Sequence, residues 1–196
     1  MPEIDFWCEL ASSYTYLAAM RIDAVAAARG VGVRWSPFLL GPIFAARGMN
    51  TSPFVIDPLR GRYMWRDVER IAGGLGVPFR RPSVFPRSSV AAARVALVGV
   101  ERGWGPAFVR AAMRANFGED REIGAPEVID ELLADLGVDG PATRVEAESP
   151  ARRPRLRAAT ERAASLGIFG APTFMVGEEM FFGNDRLEQA VDWATR

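Results

Sequence analysis

Apolar positions follow two spacings along the chain, and the changes from one to the other mark out its elements. Residues 4–10 are short, β-prone and mostly apolar, and Ser12 and Ser13 directly after them are good helix N-caps. This predicts a strand, a turn and a helix start. Over residues 14–29 apolar or small side chains recur at helical spacing, at Leu17, Met20, Ala24 and Ala28, and Gly30 and Gly32 supply the stop. A second strand is predicted over residues 31–40. The resulting β-α-β unit calls for parallel strands joined by a right-handed crossover.

After Gly41-Pro42 the pattern becomes helical, with segments at 60–75, 88–102, 106–117, 126–136 and 152–166 and no clear strand until about residue 172. Asp130 and Glu131 near the start of the fourth segment and Gly137 after it fit helix-terminus preferences. Residues 140–150 are weakly apolar and read as a loop. The chain then returns to strand character: Thr173-Phe174-Met175-Val176, a Gly177-Glu178-Glu179 turn and Met180-Phe181-Phe182 predict a β-hairpin, followed by a helix over about residues 185–194. The order β-α-β, helical block, β-β-α is that of an α/β thioredoxin-like domain. Residues 1–40 and 167–196 would form that domain, and residues 41–166 an inserted all-helical subdomain that includes the connecting helix.

The chain has 196 residues, enough for one large domain or one domain carrying an insertion. Its 24 basic and 24 acidic side chains cancel, which argues against nucleic acid or an anionic membrane surface as partner. No apolar run approaches the roughly 20 residues of a membrane span, and the start of the sequence lacks the basic region of a signal peptide, so the expected location is the cytoplasm. With one cysteine, Cys8, and no histidine, an internal disulfide, a histidine base and an ordinary zinc site are all excluded. Proton or thiol chemistry must then use hydroxyls, carboxylates or basic side chains, or a group brought by a cofactor. Cys8, inside a predicted strand, reads as a small core residue. The five tryptophans read as core too, although Trp65, together with Phe38, could face an aromatic substrate.

Three strand-to-helix or loop-to-strand junctions carry candidate chemistry. At Ser12-Ser13-Tyr14 a helix start can stabilise a thiolate or carboxylate, or a serine can simply cap the helix. At Gly170-Ala171-Pro172-Thr173 the proline removes a ladder donor, leaving neighbouring backbone groups for an extended ligand, or it merely opens an ordinary strand. At Gly183-Asn184-Asp185-Arg186 an acidic side chain can cap the last helix or pair with a ligand ammonium.

Together these junctions resemble the 2-hydroxychromene-2-carboxylate isomerases, which group with the kappa-class glutathione transferases in the DsbA-like branch of the thioredoxin superfamily. Asp5-Phe6-Trp7 and Ser12-Ser13-Tyr14-Thr15-Tyr16-Leu17-Ala18 are similar to the family's D-F-x and S-P-[FY]-S-Y-L-A. Gly170-Ala171-Pro172-Thr173 is similar to G-[VA]-P-T, and Gly183-Asn184-Asp185-Arg186-Leu187, preceded by Phe182, to G-N-D-R-L. Further similarity falls at Gly48-Met49-Asn50, at residues 60–67 and at Phe85-Pro86-Arg87-Ser88-Ser89, so it spans nearly the whole chain.

The resemblance implies glutathione as cofactor, a small aromatic substrate and a homodimer. It implies that Ser12 is the catalytic residue that hydrogen-bonds the glutathione sulfur. Pro172 would be a cis-proline, with Ala171 pairing with the cysteinyl backbone. Asn184 and Asp185 would hold the γ-glutamyl end, beside Phe182 and Gly183, while Asn50 and Arg60 or Arg62 would line the substrate pocket. No metal is implied. Three departures stand out: Ser13 replaces the family proline, which leaves open which hydroxyl serves the thiol. Arg60 stands where lysine is usual, and Ser88 where asparagine is expected. The implied activity is a glutathione-dependent isomerisation of 2-hydroxychromene-2-carboxylate or a similar conjugated compound by reversible thiolate addition. The alternatives are a kappa-like transferase and a non-catalytic thioredoxin-like binding module. A dithiol oxidoreductase is excluded by the missing second cysteine.

Overall fold

The first strand, β1 (Glu3–Cys8), pairs in parallel with β2 (Gly32–Pro37), and the two are joined by helices α1 (Ser13–Ala19) and α2 (Ile22–Ala27). The hairpin of β3 (Thr173–Val176) and β4 (Glu179–Phe182) adds to the other edge of β1, antiparallel to it, in the order β2-β1-β3-β4. The computed structural model describes residues 1–196. Between β2 and β3 run α3 (Leu40–Ala45), α4 (Pro53–Ile56), α5 (Pro58–Leu75), α6 (Val90–Arg102), α7 (Gly105–Gly118), α8 (Pro126–Ala134), α9 (Gly140–Ala147) and α10 (Arg153–Ser165). A 3-10 turn at Asn184–Arg186 leads into α11 (Leu187–Ala194).

Several expected elements take a different form. The single helix over residues 14–29 is two helices, because Arg21 leaves helical geometry at φ −128° and ψ −13°. Its guanidinium instead reaches the Asn184 side chain at 3.2 Å, the Asn184 carbonyl at 2.6 Å and Glu188. The second strand ends at Pro37 rather than at residue 40, as suits a residue with no N–H for the ladder. The helical block holds eight helices, not five. Short α4 has no room for an apolar stripe and is defined by the Ser52 cap and Pro53. The predicted loop at 140–150 is largely α9, which buries only Gly140, Thr143 and Ala147. It is fixed instead by the Asp139 cap on the Ala142 N–H (2.9 Å) and by Arg144 on Asp130 (2.6 and 2.8 Å).

Alternation along β1 assigns the two faces of the sheet. Ile4, Phe6 and Cys8 enter a core of 35 buried residues that also takes in Met64 and Val68 of α5, Phe108 and Met113 of α7 and Leu187 of α11, so sheet and inserted helices share one interior. Trp7 enters a smaller cluster on the opposite face with Phe38, Ile43 of α3 and Ala163 of α10. Phe38 is fully buried there, its ring edge-on to Trp7 at 5.9 Å, so it does not face a ligand as the sequence suggested. No helix is long and apolar enough to cross a membrane.

Candidate active site

The two parallel strands end side by side, and the loops that follow their carboxyl ends border a cavity of about 710 Å³. Clefts at this end of a parallel sheet are where α/β proteins bind ligands. The walls come from Ser12 and its neighbours after β1, the β2–α3 junction, the segment from Met49 into the start of α4 at Phe54, residues 85–90 leading into α6, and the Phe169–Ala171 segment before β3.

Ser12 is the N-cap of α1, and its Oγ accepts the Thr15 N–H at 3.3 Å while its hydroxyl donates to the Ala171 carbonyl at 3.0 Å. Ser13, by contrast, is buried, with its hydroxyl turned to Met64 Sδ at 3.1 Å. Although both serines border the cavity, Ser12 carries the hydroxyl set on the Ala171 edge. The Ala171–Pro172 peptide is cis, as is Phe85–Pro86. The Ala171 N–H donates to no protein group, and the Pro172 carbonyl accepts the Gly183 N–H at 2.9 Å. A Cβ on Gly170 would stand 2.4 Å from the Phe182 ring, so only glycine leaves room for that aromatic. Phe182 in turn packs on Phe169 at 4.6 Å, and Arg47 lies over Phe169 at 5.8 Å.

The cavity also reaches Glu9, which is only 5 % exposed. Its Oε1 accepts from the Ala11 N–H (3.2 Å) and the Ser89 hydroxyl (2.5 Å), and its Oε2 from the Leu40 N–H (2.8 Å). Burial raises the pKa of the Glu9 carboxyl above the ordinary glutamate value, against the opposing pull of these hydrogen bonds, with that from Ser89 the largest. Cys8 is fully buried and does not reach the cavity. Burial first, and the adjacent Glu9 second, push its thiol far up, so it stays protonated. Arg87 borders the cavity, but its guanidinium is committed to Asp120 (2.5 Å) and Asn116 (2.9 Å), and Asp120 is held near pKa 2, chiefly by that hydrogen bond.

Of the residues the sequence singled out, Ser12, Ala171, Phe182, Asn50 and Arg60 come together on the cavity wall, and Pro172 and Gly183 stand directly behind it. Arg62 is exposed and off the wall, because positions two apart on α5 lie on different faces. Asn184 is buried with its side-chain oxygen on Arg21, and Asp185 is exposed beside Arg186 at 3.5 Å, so neither forms part of the wall. Trp65 packs edge-on to Phe85 at 4.7 Å and stands behind the wall rather than on it. Sequence reasoning missed Glu9, Ser89 and Arg47. The one available signal for Glu9 was its place among apolar residues, between Cys8 and Leu10.

These features define a thioredoxin-type domain without a redox pair, and residues 3–193 match the model of the DSBA-like thioredoxin domain family, to which the chain therefore belongs. Within it, the chain is 29 % identical over 186 residues to a 2-hydroxychromene-2-carboxylate isomerase of Sphingobium xenophagum, covering 94 % of both chains. It is 29 % identical over 197 residues to one of Pseudomonas putida, covering 94 % of this chain and 90 % of that one. A solved 2-hydroxychromene-2-carboxylate isomerase superposes with a TM-score of 0.88 at 26 % identity, over 99 % of this chain and 95 % of the other. The fold is shared more widely: the cytosolic disulfide reductase DsbM of Pseudomonas aeruginosa superposes at 0.68 with 21 % identity, over 98 % and 95 % of the two chains.

Proposed function

We propose that the chain is a glutathione-dependent isomerase acting on 2-hydroxychromene-2-carboxylate or a similar conjugated aromatic acid. The observation that carries this reading is the junction of Ser12 and Ala171. One backbone position offers a free N–H and a carbonyl with a second lone pair, and a hydroxyl sits 3.0 Å from that carbonyl. An extended cysteinyl residue needs one such donor and one such acceptor, so glutathione would fit this edge, with the Ser12 hydroxyl available to its thiol. When bound, it would supply a thiolate that adds reversibly to a conjugated substrate and leaves.

The chain's own part is to bind, orient and set protonation. Ala171 would hold the glutathione backbone and Ser12 would donate to its sulfur, while Arg60 and Asn50 lie on the same wall. Phe44, Phe54 and Phe85 supply an apolar surface for an aromatic ring, while Arg47 has no acidic partner in the chain and suits a carboxylate. The relatives' names agree with an isomerase acting on such an aromatic acid. Calorimetric titration with glutathione tests the reading: saturable one-to-one binding that weakens when Gly170 beside the Ala171 edge is replaced by Ala supports it, and absence of binding returns the chain to a binding module.

A further inference from the structure

Ser89 occupies the N-cap position of α6, where a serine oxygen ordinarily accepts a hydrogen bond from the first helical turn, yet it makes no such cap. Its hydroxyl donates instead to Glu9 Oε1 at 2.5 Å, across 80 positions of sequence. Both residues border the cavity and both are only 5 % exposed. The lone pairs of Ser89 Oγ accept from no protein group, so they remain available to a ligand. Glu9 receives three donors, one short of the roughly four a carboxylate accommodates.

The composition of the wall gives this pair its meaning. Its other ionisable side chains are Arg47, Arg60 and Arg87, and guanidinium groups do not give up a proton in proteins. Glu9 is thus the one group on the wall able to take up and release a proton under ordinary conditions. Around it, Cys8 precedes it on β1, and Arg87, two residues from Ser89, is turned to Asn116, Asp120 and Glu122. Arg60 pairs with Asp57 at 3.3 Å, and the neighbour from α10 at the β2–α3 junction is the neutral Thr160.

We propose that Ser89 and Glu9 form a two-residue proton relay on the cavity wall, with Ser89 touching the substrate and Glu9 holding the proton through it. This rests on the isomerase reading. The 2-hydroxyl of the cyclic substrate gives its proton to Ser89 Oγ as Ser89 passes its own to Glu9. The ring C–O bond breaks, its electron pair stays on the ring oxygen, and a carbonyl forms at carbon 2. The proton then returns through the same two residues to that oxygen, so the product is an isomer and Glu9 is restored. Burial of Glu9 favours the protonated intermediate state, and the Ser89 hydrogen bond restrains it.

The test pairs kinetics with a carbon-13 NMR titration of the Glu9 carboxyl in the protein without ligand. In the wild type, kcat/KM for 2-hydroxychromene-2-carboxylate should rise with pH through the midpoint the NMR signal reports. Ser89→Ala removes the group through which Glu9 acts, so the rate should fall and the limb flatten as in Glu9→Gln, while the NMR midpoint of Glu9 moves upward because a hydrogen bond that favours the charged form is lost. Glu9→Gln should lower kcat about a hundredfold, within the usual range for general acid–base catalysis, and flatten the limb. Ser89→Ala keeps the test open should Glu9→Gln fail to fold, because the Ser89 side chain makes no capping hydrogen bond to α6. An unchanged limb in a folded Glu9→Gln variant, or one that persists in Ser89→Ala, overturns the relay and leaves the isomerase standing. Absence of wild-type turnover with glutathione bound removes both.

Discussion

Replacing Ser12 with alanine tests the thiol site in numbers. In the structure the Ser12 hydroxyl donates to the Ala171 carbonyl at 3.0 Å, so donating to a bound sulfur requires the hydrogen to swing away from that carbonyl. A neutral hydrogen bond contributes about 0.5–1.5 kcal/mol net, and one to a charged partner about 1.5–3 kcal/mol. The exchange is therefore worth about 1.3 kcal/mol, or about one pKa unit. Helix α1 adds little, being only 7 residues long. The thiol of bound glutathione should thus ionise about one unit lower in the wild type than in Ser12→Ala. Turnover near pH 7 should fall up to about tenfold and recover as pH rises. An ultraviolet thiolate titration of bound glutathione in Ser12→Ala and Ser13→Ala, side by side, measures this. Ser13 donates to Met64 Sδ and should leave the thiol pKa unchanged. A rise seen only in Ser13→Ala refutes the assignment.

Cys8→Ala should keep activity within severalfold and cost about 1 kcal/mol in urea unfolding, since the thiol is fully buried; loss of activity with the fold intact would assign it chemistry. Gly170→Ala should drive Phe182 off its site and remove the Phe169–Phe182 pair, costing about 1 kcal/mol and raising KM for glutathione; an unchanged KM counts against the Ala171 edge as the binding site. The raised pKa of Glu9 means that the folded chain holds this proton more tightly than the unfolded one. Its contribution to stability is therefore full below about pH 4.3 and is lost as pH rises through its folded value. Urea unfolding of wild type and Glu9→Gln across that window should show the wild type losing more stability as pH rises, and parallel curves would contradict it.

The parts legible in the sequence were those whose signals are local. Ser12 and the Gly170–Thr173 turn lie within short motifs where strand, cap and proline preferences act over three or four residues. Glu9 was not legible as a site residue because its partners stand 31 and 80 positions away, at Leu40 and Ser89. The engagement of the Asn184 side-chain oxygen was not legible for the same reason, since its partner Arg21 is 163 positions distant. Helix α9 escaped because capping and one ion pair hold it where an apolar stripe ordinarily would. Arg60 and Arg62 looked equivalent until the helix placed them on different faces.

The most direct measurement of the central claim follows 2-hydroxychromene-2-carboxylate by NMR with glutathione present at a small fraction of the substrate concentration. The account predicts many turnovers to a ring-opened isomer, no turnover without glutathione, and full recovery of the free thiol at the end. Consumption of one glutathione per product would make the chain a transferase, and turnover that proceeds equally well without the thiol would contradict the account outright.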